Sequence, residues 1–493
     1  MRIVLMVVAV AFCGTGWADR PASLAEAWRA TDLDLNLSKS FLSNEKCHSN
    51  LNYYHSCMAA VQAANALLPA PLHFNNDQLN FENTFAEMAA QLPPSVPVQM
   101  MLGTAINAHL SVFDAHAYLR PTDVSFNASY AGIGLVARKI HDGFLVTEVL
   151  NGSPAGKAGI LVGDILTAVA GIPPADFADD SVDDLVDSLS GEPGSSMTLT
   201  YLHDGSAKTL TLTRMPVEFK NVSAMVLEAD ASIGYIRIRH FNSNSTCAAF
   251  HDALNNLDEQ KVKKLILDLR GNSGGSTKDA LCIGGIFTGG QDQVGTQFIG
   301  VQIPEKALVD VRGESPNVRW LSGYNLIRRK TPLVILIDAQ SASASEIVAG
   351  AVQSNGVGWL VGERSFGKGS MQTVGTIPDH DQLTLATTTA RFYFPNMLSN
   401  QRVGITPSFA VPMALTLPPD EPKVIREAEA FPNALPGVNE AWPDARQAEI
   451  ATIRKCIQKN HLDTQFLKAN GALAGDYQKA YAAAVLKCSD GPE

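Results

Sequence analysis

The sequence predicts a multidomain α/β protein, in which an α/β core with a mostly parallel sheet carries an inserted β-rich domain and helical regions at both ends. Three observations lead to this prediction. Strands and helices alternate from residue 233 onward, short β-type runs with Gly-rich turns fill residues 125–216, and helical patterns dominate both ends of the chain. A chain of 493 residues has room for about three domains.

Residues 1–18 have the features of a secretory signal peptide. Arg2 supplies a positive charge, Ile3–Cys13 form an apolar run, and a small-x-small cleavage site ends at Ala18. The alternative is an uncleaved membrane anchor, but an anchor needs about 20 apolar residues and this run has about half that number. We therefore expect an exported protein, periplasmic in a Gram-negative cell or otherwise secreted, after cleavage near Ala18.

The composition favours a folded globular protein, since 46% of the residues are hydrophobic and 18% are charged. Loss of Arg2 from the 38 basic residues leaves 37 against 49 acidic residues, so the net charge of the mature chain is −12. This acidity argues against nucleic acid as a partner, because nucleic-acid binding relies on basic surfaces.

Six cysteines remain in the mature chain, because Cys13 belongs to the predicted signal. An even number of cysteines in an exported chain suggests disulfides. Sequence order favours three local bridges, although other pairings are formally allowed: Cys47 with Cys57, Cys247 with Cys282, and Cys456 with Cys488. The sequence has no C-x-x-C pair and no H-E-x-x-H motif, so we expect no metal site and no cofactor.

The first half of the chain contains two predicted regions. Residues 19–120 have mostly helical periodicity, as at 56–68 and 81–91, and are interrupted by prolines at 93–97. Residues 125–216 contain one predicted helix, at Val182–Leu189. The predicted strands of this region lie at 143–149, 164–169, 197–202 and 208–213.

The second half contains the predicted core, residues 217–415, and a C-terminal region, residues 416–493. The core pattern alternates strands at 234–238, 264–269 and 333–337 with helices at 246–257, 278–287 and 343–354. Proline density is high from Pro412 to Pro443, which suggests a linker. Two amphipathic helices that contain Cys456 and Cys488 are expected to follow this linker.

The serine-rich segment after the third core strand is the first candidate for chemistry. The apolar run Leu333–Ile337 predicts a buried strand, and the small residues of Ser341–Glu346 then open a helix. A hydroxyl at a helix N-terminus, such as that of Ser343, lies beside free backbone N–H groups that can stabilise an oxyanion. The alternative is that these serines only cap the helix.

A lysine between glycines, Lys368, is the second candidate. Burial in an apolar site would lower its pKa and leave a neutral amine able to accept a serine proton. The alternatives are a surface lysine on a turn or a phosphate-binding loop, but Gly369 occupies the position where that loop needs Ser or Thr. A Ser-His-Asp triad has little support, because G-x-S-x-G does not surround Ser343 and none of the 11 histidines lies in a recognisable context.

Several co-linear segments together resemble one known family, the carboxyl-terminal processing (tail-specific) proteases of peptidase family S41. In two of them the family's proline is replaced, by Ala115 and by Ser273. The resemblance covers about residues 105–415. Its segments are Phe113–Leu119, Gly132–Leu135, Ser153–Leu166, Leu265–Gly275, Ser341–Glu346, Phe366–Gln372 and Gly404–Pro407.

The resemblance implies a serine endopeptidase that works through an acyl-enzyme. The nucleophile would be Ser343, the general base Lys368, and Gln372 would orient the lysine amine. The oxyanion hole would use the backbone N–H of Ala344 and one N–H from the turn Gly274–Gly275. The core, residues 217–415, would then be the protease domain.

The resemblance also implies that residues 125–216 form a PDZ domain that selects protein or peptide substrates by their C-terminus. The N–H groups of the loop Gly132, Ile133, Gly134 and Leu135 would bind the terminal carboxylate, and the peptide would add as a strand facing the helix Val182–Leu189. The alternatives are a PDZ fold without binding function and a catalytically silent PDZ adaptor. The end helices are candidates for contacts with an adaptor protein or for a homo-oligomer.

Overall fold

A computed structural model gives the fold of most of the chain. The predicted signal peptide lies outside the described residues, as does most of the predicted helix Val182–Leu189. The described residues are 21–74, 79–122, 131–140, 143–150, 152–176, 185, 188–217, 220–243, 245–289, 292–298, 318–322, 329–412, 425–467 and 476–489.

The helices and strands have the following bounds. The helices are α1 Pro21–Arg29, α2 Leu35–Leu42, α3 Asn44–Cys47, α4 Leu51–Asn65, α5 Phe81–Ala89, α6 Val98–Phe113, α7 Pro154–Lys157, α8 Thr246–Glu259, α9 Thr277–Thr288, α10 Ala344–Ser354, α11 Glu427–Ala430, α12 Gln447–Asn460, α13 Leu462–Leu467 and α14 Tyr477–Cys488. The strands are β1 Tyr118–Pro121, β2 Ala131–Gly132, β3 Leu135–Ile140, β4 Gly143–Val149, β5 Ile165–Val169, β6 Ser196–His203, β7 Ser206–Thr213, β8 Met215–Pro216, β9 Val222–Leu227, β10 Asp230–Ile238, β11 Lys264–Asp268, β12 Asp292–Phe298, β13 Val318–Ser322, β14 Leu333–Ile337, β15 Trp359–Gly362, β16 Ser370–Ile377, β17 His380–Tyr393 and β18 Phe409–Ala410.

A six-stranded sheet in the order β18-β15-β14-β11-β10-β9 forms the centre of the core. All neighbouring pairs are parallel except β9 with β10, which confirms the predicted mostly parallel sheet. Alternate residues face opposite layers: Leu267 and Ile335 pack with α8, α9 and α10, whereas Ile266 and Val334 pack with α12 and α14. Because both faces are covered, the central strands are continuously apolar rather than alternating.

A second sheet, all antiparallel, packs beside the core and was not predicted from the sequence. It has the order β1-β17-β12-β13, with β16 also paired to β17. The long strand β17 has buried residues on both faces, so it lacks the period-two pattern by which a half-exposed strand is recognised. Leu383 and Leu385 of β17 join the hydrophobic cluster of the N-terminal helices. That N-terminal region is helical as predicted.

Strands β3 to β7 form a five-stranded antiparallel sheet, in agreement with the predicted β-rich domain. Its core includes Leu135, Phe144 and Leu199, together with Leu185 and Leu189, which are described within the predicted helix. Strand β3 lies at the edge of this sheet, so one side of its backbone has no strand partner among the described residues.

All three predicted disulfides are present in the structure. They join Cys47 to Cys57, Cys247 to Cys282, and Cys456 to Cys488. Each bridge joins two cysteines that are consecutive in the mature sequence, 10, 35 and 32 residues apart, so the order of the cysteines predicted the pairing. Among the described residues, no helix is both long and apolar enough to cross a membrane.

The prediction of a linker is wrong for residues 425–443, which the structure describes. Glu427, Phe431 and Trp442 are buried, and the Trp442 ring lies 4.9 Å from that of Phe394 in the core. The last helix, α14, is also not amphipathic, because nine of its twelve residues are buried. Prolines therefore shape a segment that packs on the core rather than one that spans solvent.

Candidate active site

The serine segment is positioned by elements close to it in sequence. Strand β14 is buried throughout and ends at Ile337, directly before Asp338. The Asp338 carboxylate accepts hydrogen bonds from the N–H groups of Gln340 and Ser341, each 3.0 Å long, which closes the turn toward α10. Ser343 precedes α10 with φ 53° and ψ −112°. A helix cap normally has extended backbone, so Ser343 has a strained conformation of the kind that clusters at functional sites.

The glycine turn Gly274–Gly275 lies directly against Ser343. A Cβ atom added at Gly274 would be 2.8 Å from the Cβ of Ser343 and 2.9 Å from the Ala344 nitrogen. The Gly274 N–H donates to Asn272 Oδ1 over 2.9 Å, and this bond excludes it as an oxyanion donor. Of the two glycines named from the sequence, Gly275 is therefore the one whose N–H remains a candidate, together with that of Ala344.

The lysine lies between β15 and β16, where its amine contacts Gln372. Lys368 Nζ donates to Gln372 Oε1 over 2.6 Å. The Gln372 amide donates in turn to Ser370 Oγ and Thr388 Oγ1 over 3.1 and 3.0 Å. The Thr388 hydroxyl donates to Asp114 over 2.8 Å. This chain of donors fixes the amide so that its oxygen faces the lysine.

One buried carboxylate, that of Glu346, joins the serine segment to the lysine loop. Its Oε2 accepts the backbone N–H of Ser343 over 2.9 Å and that of Lys368 over 2.8 Å. Its Oε1 accepts the Ser365 hydroxyl over 2.6 Å and the Gly367 N–H over 2.9 Å. The backbones of Ser343 and Lys368 are thus bound to the same oxygen atom.

Burial is the main influence on the pKa values of Lys368 and Glu346. It lowers the pKa of Lys368 below the ordinary value, while the charges of Glu427, Asp114 and Glu346 act in the opposite direction. Burial raises the pKa of Glu346 to about 7, although the hydrogen bonds from the Ser365 hydroxyl and from the backbone N–H groups of Ser343 and Gly367 favour the ionised form. A lysine of lowered pKa has a larger neutral fraction near neutral pH and can act as a base.

The structure therefore brings the segments of Ser343, Lys368, Gln372 and Ala344 together. Among the described residues, no hydrogen bond joins the Ser343 hydroxyl to the Lys368 amine. Such bonds are often long in a free enzyme and shorten when substrate binds.

The predicted carboxylate-binding loop lies apart from this site, in the β3–β7 domain. The carbonyl oxygens of Ile133 and Gly134 accept bonds from Ala155 and Leu150, both 2.9 Å long, so the loop backbone is anchored through its acceptors. Gly134 has φ 76°, and a Cβ there would lie 2.3 Å from that of Ser153. Gly132 and Leu135 end β2 and begin β3, so the loop leads into the outermost described strand of the sheet.

Three buried acidic groups around the lysine, Glu346, Asp114 and Glu427, have no role predicted from the sequence. Glu346 could have been found from the S-x-x-E spacing, which is the pattern of a helix capping box. Asp114 and Glu427 gave no such signal, because each has a partner at the site that is more than 250 residues away: Thr388 for Asp114 and His116 for Glu427.

The possible ligand atoms of Cys247, His251 and Cys282 lie within 4.8 Å of one another, which is close enough for them to hold one metal ion. However, the two sulfur atoms are joined in a disulfide, which leaves them unsuited to hold a metal ion.

Two protein-family models match parts of the chain that contain the serine and lysine segments and part of the β3–β7 sheet. The model of Peptidase family S41 matches residues 232–411, and a PDZ domain model matches residues 145–202. The Carboxy-terminal-processing protease of Bartonella bacilliformis is 28% identical over 358 residues, which are 69% of this chain and 78% of that protein.

Two photosynthetic organisms have similar proteins. The Carboxyl-terminal-processing protease of Picosynechococcus sp. is 30% identical over 299 residues, which are 59% of this chain and 67% of that protein. The chloroplastic Carboxyl-terminal-processing peptidase 2 of Arabidopsis thaliana is 32% identical over 288 residues, 57% of this chain and 51% of that protein. The chain thus spans about half the length of the plant relative.

Proposed function

Since this chain belongs to the carboxyl-terminal-processing proteases, a family of serine peptidases, we propose that it cuts proteins with Ser343 as nucleophile and Lys368 as general base. The observation that carries this proposal is the Glu346 carboxylate, one oxygen of which binds the backbone of both residues. A shared anchor of this kind would hold a nucleophile and its base in register. The proposed protease domain is residues 217–415.

In the proposed mechanism, the neutral Lys368 amine takes the proton of the Ser343 hydroxyl as its oxygen attacks the scissile carbonyl. The N–H groups of Ala344 and Gly275 stabilise the oxyanion of the tetrahedral intermediate. Lys368 then gives its proton to the leaving amine, and the acyl-enzyme forms. The same lysine deprotonates a water molecule that attacks the acyl-enzyme, and it gives this proton to the Ser343 oxygen as the ester bond breaks, which releases the acyl product and restores both residues. Gln372 holds the amine in place throughout.

We propose further that the domain at residues 125–216 selects substrates by their C-terminus. The anchored loop Ile133–Leu135 leads into the free edge of β3, where an extended peptide could add as a strand. Export of the protein is part of the same proposal. It is supported by the three disulfides, since these bonds persist mainly in oxidising compartments.

Cleavage of β-casein by the mature protein tests the mechanism. We expect Ser343→Ala and Lys368→Met to lower the rate by about 10³-fold or more, because each removes a group that takes part in the chemistry. The matched control is Lys263→Met, which changes an exposed lysine and should retain full activity. Full activity in either site variant would exclude the assignment, and binding of C-terminal peptides without turnover by the wild type would favour the adaptor alternative.

The dependence of the rate on pH is a second readout of the same experiment. Only the neutral form of Lys368 can accept a proton, so activity must rise with pH through the pKa of this lysine. Burial lowers the pKa of Lys368 below the ordinary value of 10.5, so the rate should reach half of its maximum at a pH below 10.5.

A further inference from the structure

The segment 425–435, named here the C-terminal strap, lies beyond the residues matched by the family model and packs directly on the lysine loop, residues 366–369. The strap backbone joins the loop where the Glu427 N–H donates to the Phe366 carbonyl over 3.2 Å. Its apolar residues Phe431 and Ala434 pack with Phe366 in a separate small cluster. The strap therefore forms one wall of the proposed active site.

Glu427 is the acidic residue that the strap brings into this wall, and its side chain is fully buried. Its Oε1 lies 2.8 Å from His116 Nε2 and accepts the Gln401 amide over 3.1 Å. Gln401 in turn accepts the N–H of Gly369 over 2.8 Å. Glu427 is thus connected to both ends of the lysine loop, to Phe366 by its backbone N–H and to Gly369 by its carboxylate through Gln401.

The contacts continue around the lysine on its other side. His116 donates its backbone N–H to Asp114 over 3.0 Å, and Asp114 accepts the hydroxyl of Thr388, which contacts Gln372. The ring of contacts therefore runs from Glu427 through His116 to the amide that holds the lysine amine. The second Glu427 oxygen, Oε2, is buried and has no hydrogen-bond partner among the described residues.

We propose that Glu427 is a positioning residue of the active site, which fixes the lysine loop through the strap and keeps a negative charge near the Lys368 amine. This inference depends on the proposed function of Lys368. The charged groups that act on the lysine come from three elements: Glu346 from α10, Asp114 from the residue after α6, and Glu427 from α11. Of these, Glu427 is the group that the C-terminal strap supplies.

The test compares β-casein cleavage by the wild type, Glu427→Gln and Glu427→Asp between pH 5.5 and 10. In Glu427→Gln, kcat should fall about 10-fold with KM nearly unchanged, because the loop is less well placed. Loss of the negative charge also lowers the pKa of Lys368, so the acid limb of the kcat/KM profile should move about one unit to lower pH. Glu427→Asp keeps the charge, so its kcat should fall while its acid limb stays in place.

The matched control is Glu429→Gln, which changes an exposed acid two residues along the strap and should leave both kcat and the acid limb unchanged. Wild-type kcat in Glu427→Gln, or a lower kcat with an unmoved acid limb, would overturn the inference while the proposed function stands. If Glu427→Gln does not fold, as judged by thermal melting, an acid limb displaced in Glu427→Asp would overturn it. A wild type without activity would overturn both proposals.

Discussion

The two halves of the proposed active site are held in different ways. The nucleophile half, residues 338–346, takes its turn from its immediate neighbours, since β14 leads into it, Asp338 closes the turn and α10 starts within it, and one further turn, residues 272–275, packs against it. The lysine half, residues 366–372, is fixed by residues far along the chain, including Gln401 and Glu427. Glu346 is the point where the two halves meet.

The difference has a physical consequence for how each half tolerates change. In the nucleophile half a few backbone contacts define the geometry, so one added atom can disrupt it. In the lysine half several hydrogen bonds share the same task, and the loss of one leaves the others in place. Single substitutions should therefore have large effects on the nucleophile half, smaller effects on the lysine half, and intermediate effects at the link.

Gly274→Ala is expected to have the largest effect. The new Cβ would lie 2.8 Å from the Cβ of Ser343 and from the Ala342 carbonyl oxygen, and Gly274 has φ 110°, a conformation that alanine rarely adopts. The turn must move away from the nucleophile, and the oxyanion donors must move with it. We expect kcat/KM for β-casein to fall by about 10³-fold, as for the loss of an oxyanion donor.

Gly375→Ala is the control for this substitution. Gly375 lies in β16, and a Cβ there would have no heavy atom within 4 Å beyond its chain neighbours. Its activity should remain within about 2-fold of the wild type, as expected for a surface position. A Gly274→Ala enzyme that retained more than a tenth of the wild-type rate would show that the nucleophile half is not held as tightly as its contacts suggest.

Glu346→Gln tests the link between the halves. The amide oxygen can accept on one side only, so at least one backbone N–H that now reaches the carboxylate would face an NH₂ group. A buried N–H without an acceptor costs about 1–3 kcal/mol of stability, and a displaced serine or lysine lowers the rate by about 10²-fold. Urea unfolding and casein cleavage measure the two effects.

The control for the link is Glu259→Gln, which changes an exposed residue at the end of α8 and should alter neither stability nor rate. Wild-type kinetics in Glu346→Gln would contradict the idea that this carboxylate aligns the two halves.

The same contrast explains what the sequence could predict. The serine segment was recognisable from local features, namely an apolar strand, small turn residues and a helix start, but helix capping also explains these features, and the family resemblance was needed to single out Ser343. Lys368 was ambiguous by itself, and its interpretation depended on the family resemblance, since the residues that position it are distant in sequence. Glu427 fell within a stretch whose prolines suggested a linker, because composition does not reveal that a segment packs on a site formed elsewhere.

The fold followed the same rule. The parallel core sheet was predictable from buried strands that alternate with helices, and the three disulfides from the order of the cysteines. The second sheet was not predictable from the sequence. Its strand β17 pairs on one side with β1, more than 250 residues earlier in the chain, and is buried on both faces. Pairing over such distances leaves no local pattern.

Thr388→Val is expected to have the smallest effect. It gives the sharpest test of whether several hydrogen bonds together hold the lysine half in place. The substitution removes a buried hydroxyl that accepts from Gln372 and donates to Asp114. Both partners keep other bonds, since Gln372 still donates to Ser370 and Asp114 still accepts the N–H groups of Thr388 and His116. We expect a loss of about 1 kcal/mol in the free energy of unfolding and a fall in kcat of about 3-fold to 10-fold.

Thr373→Val is the matched control, because Thr373 is exposed and its hydroxyl bonds Thr389 rather than Gln372. It lies next to Gln372 in β16, and neighbouring residues of a strand face opposite sides of the sheet. Its kcat should equal that of the wild type. If Thr388→Val lowered kcat as much as Glu346→Gln does, the lysine would depend on a single chain of hydrogen bonds, and the two halves of the site would be equally sensitive to one lost contact.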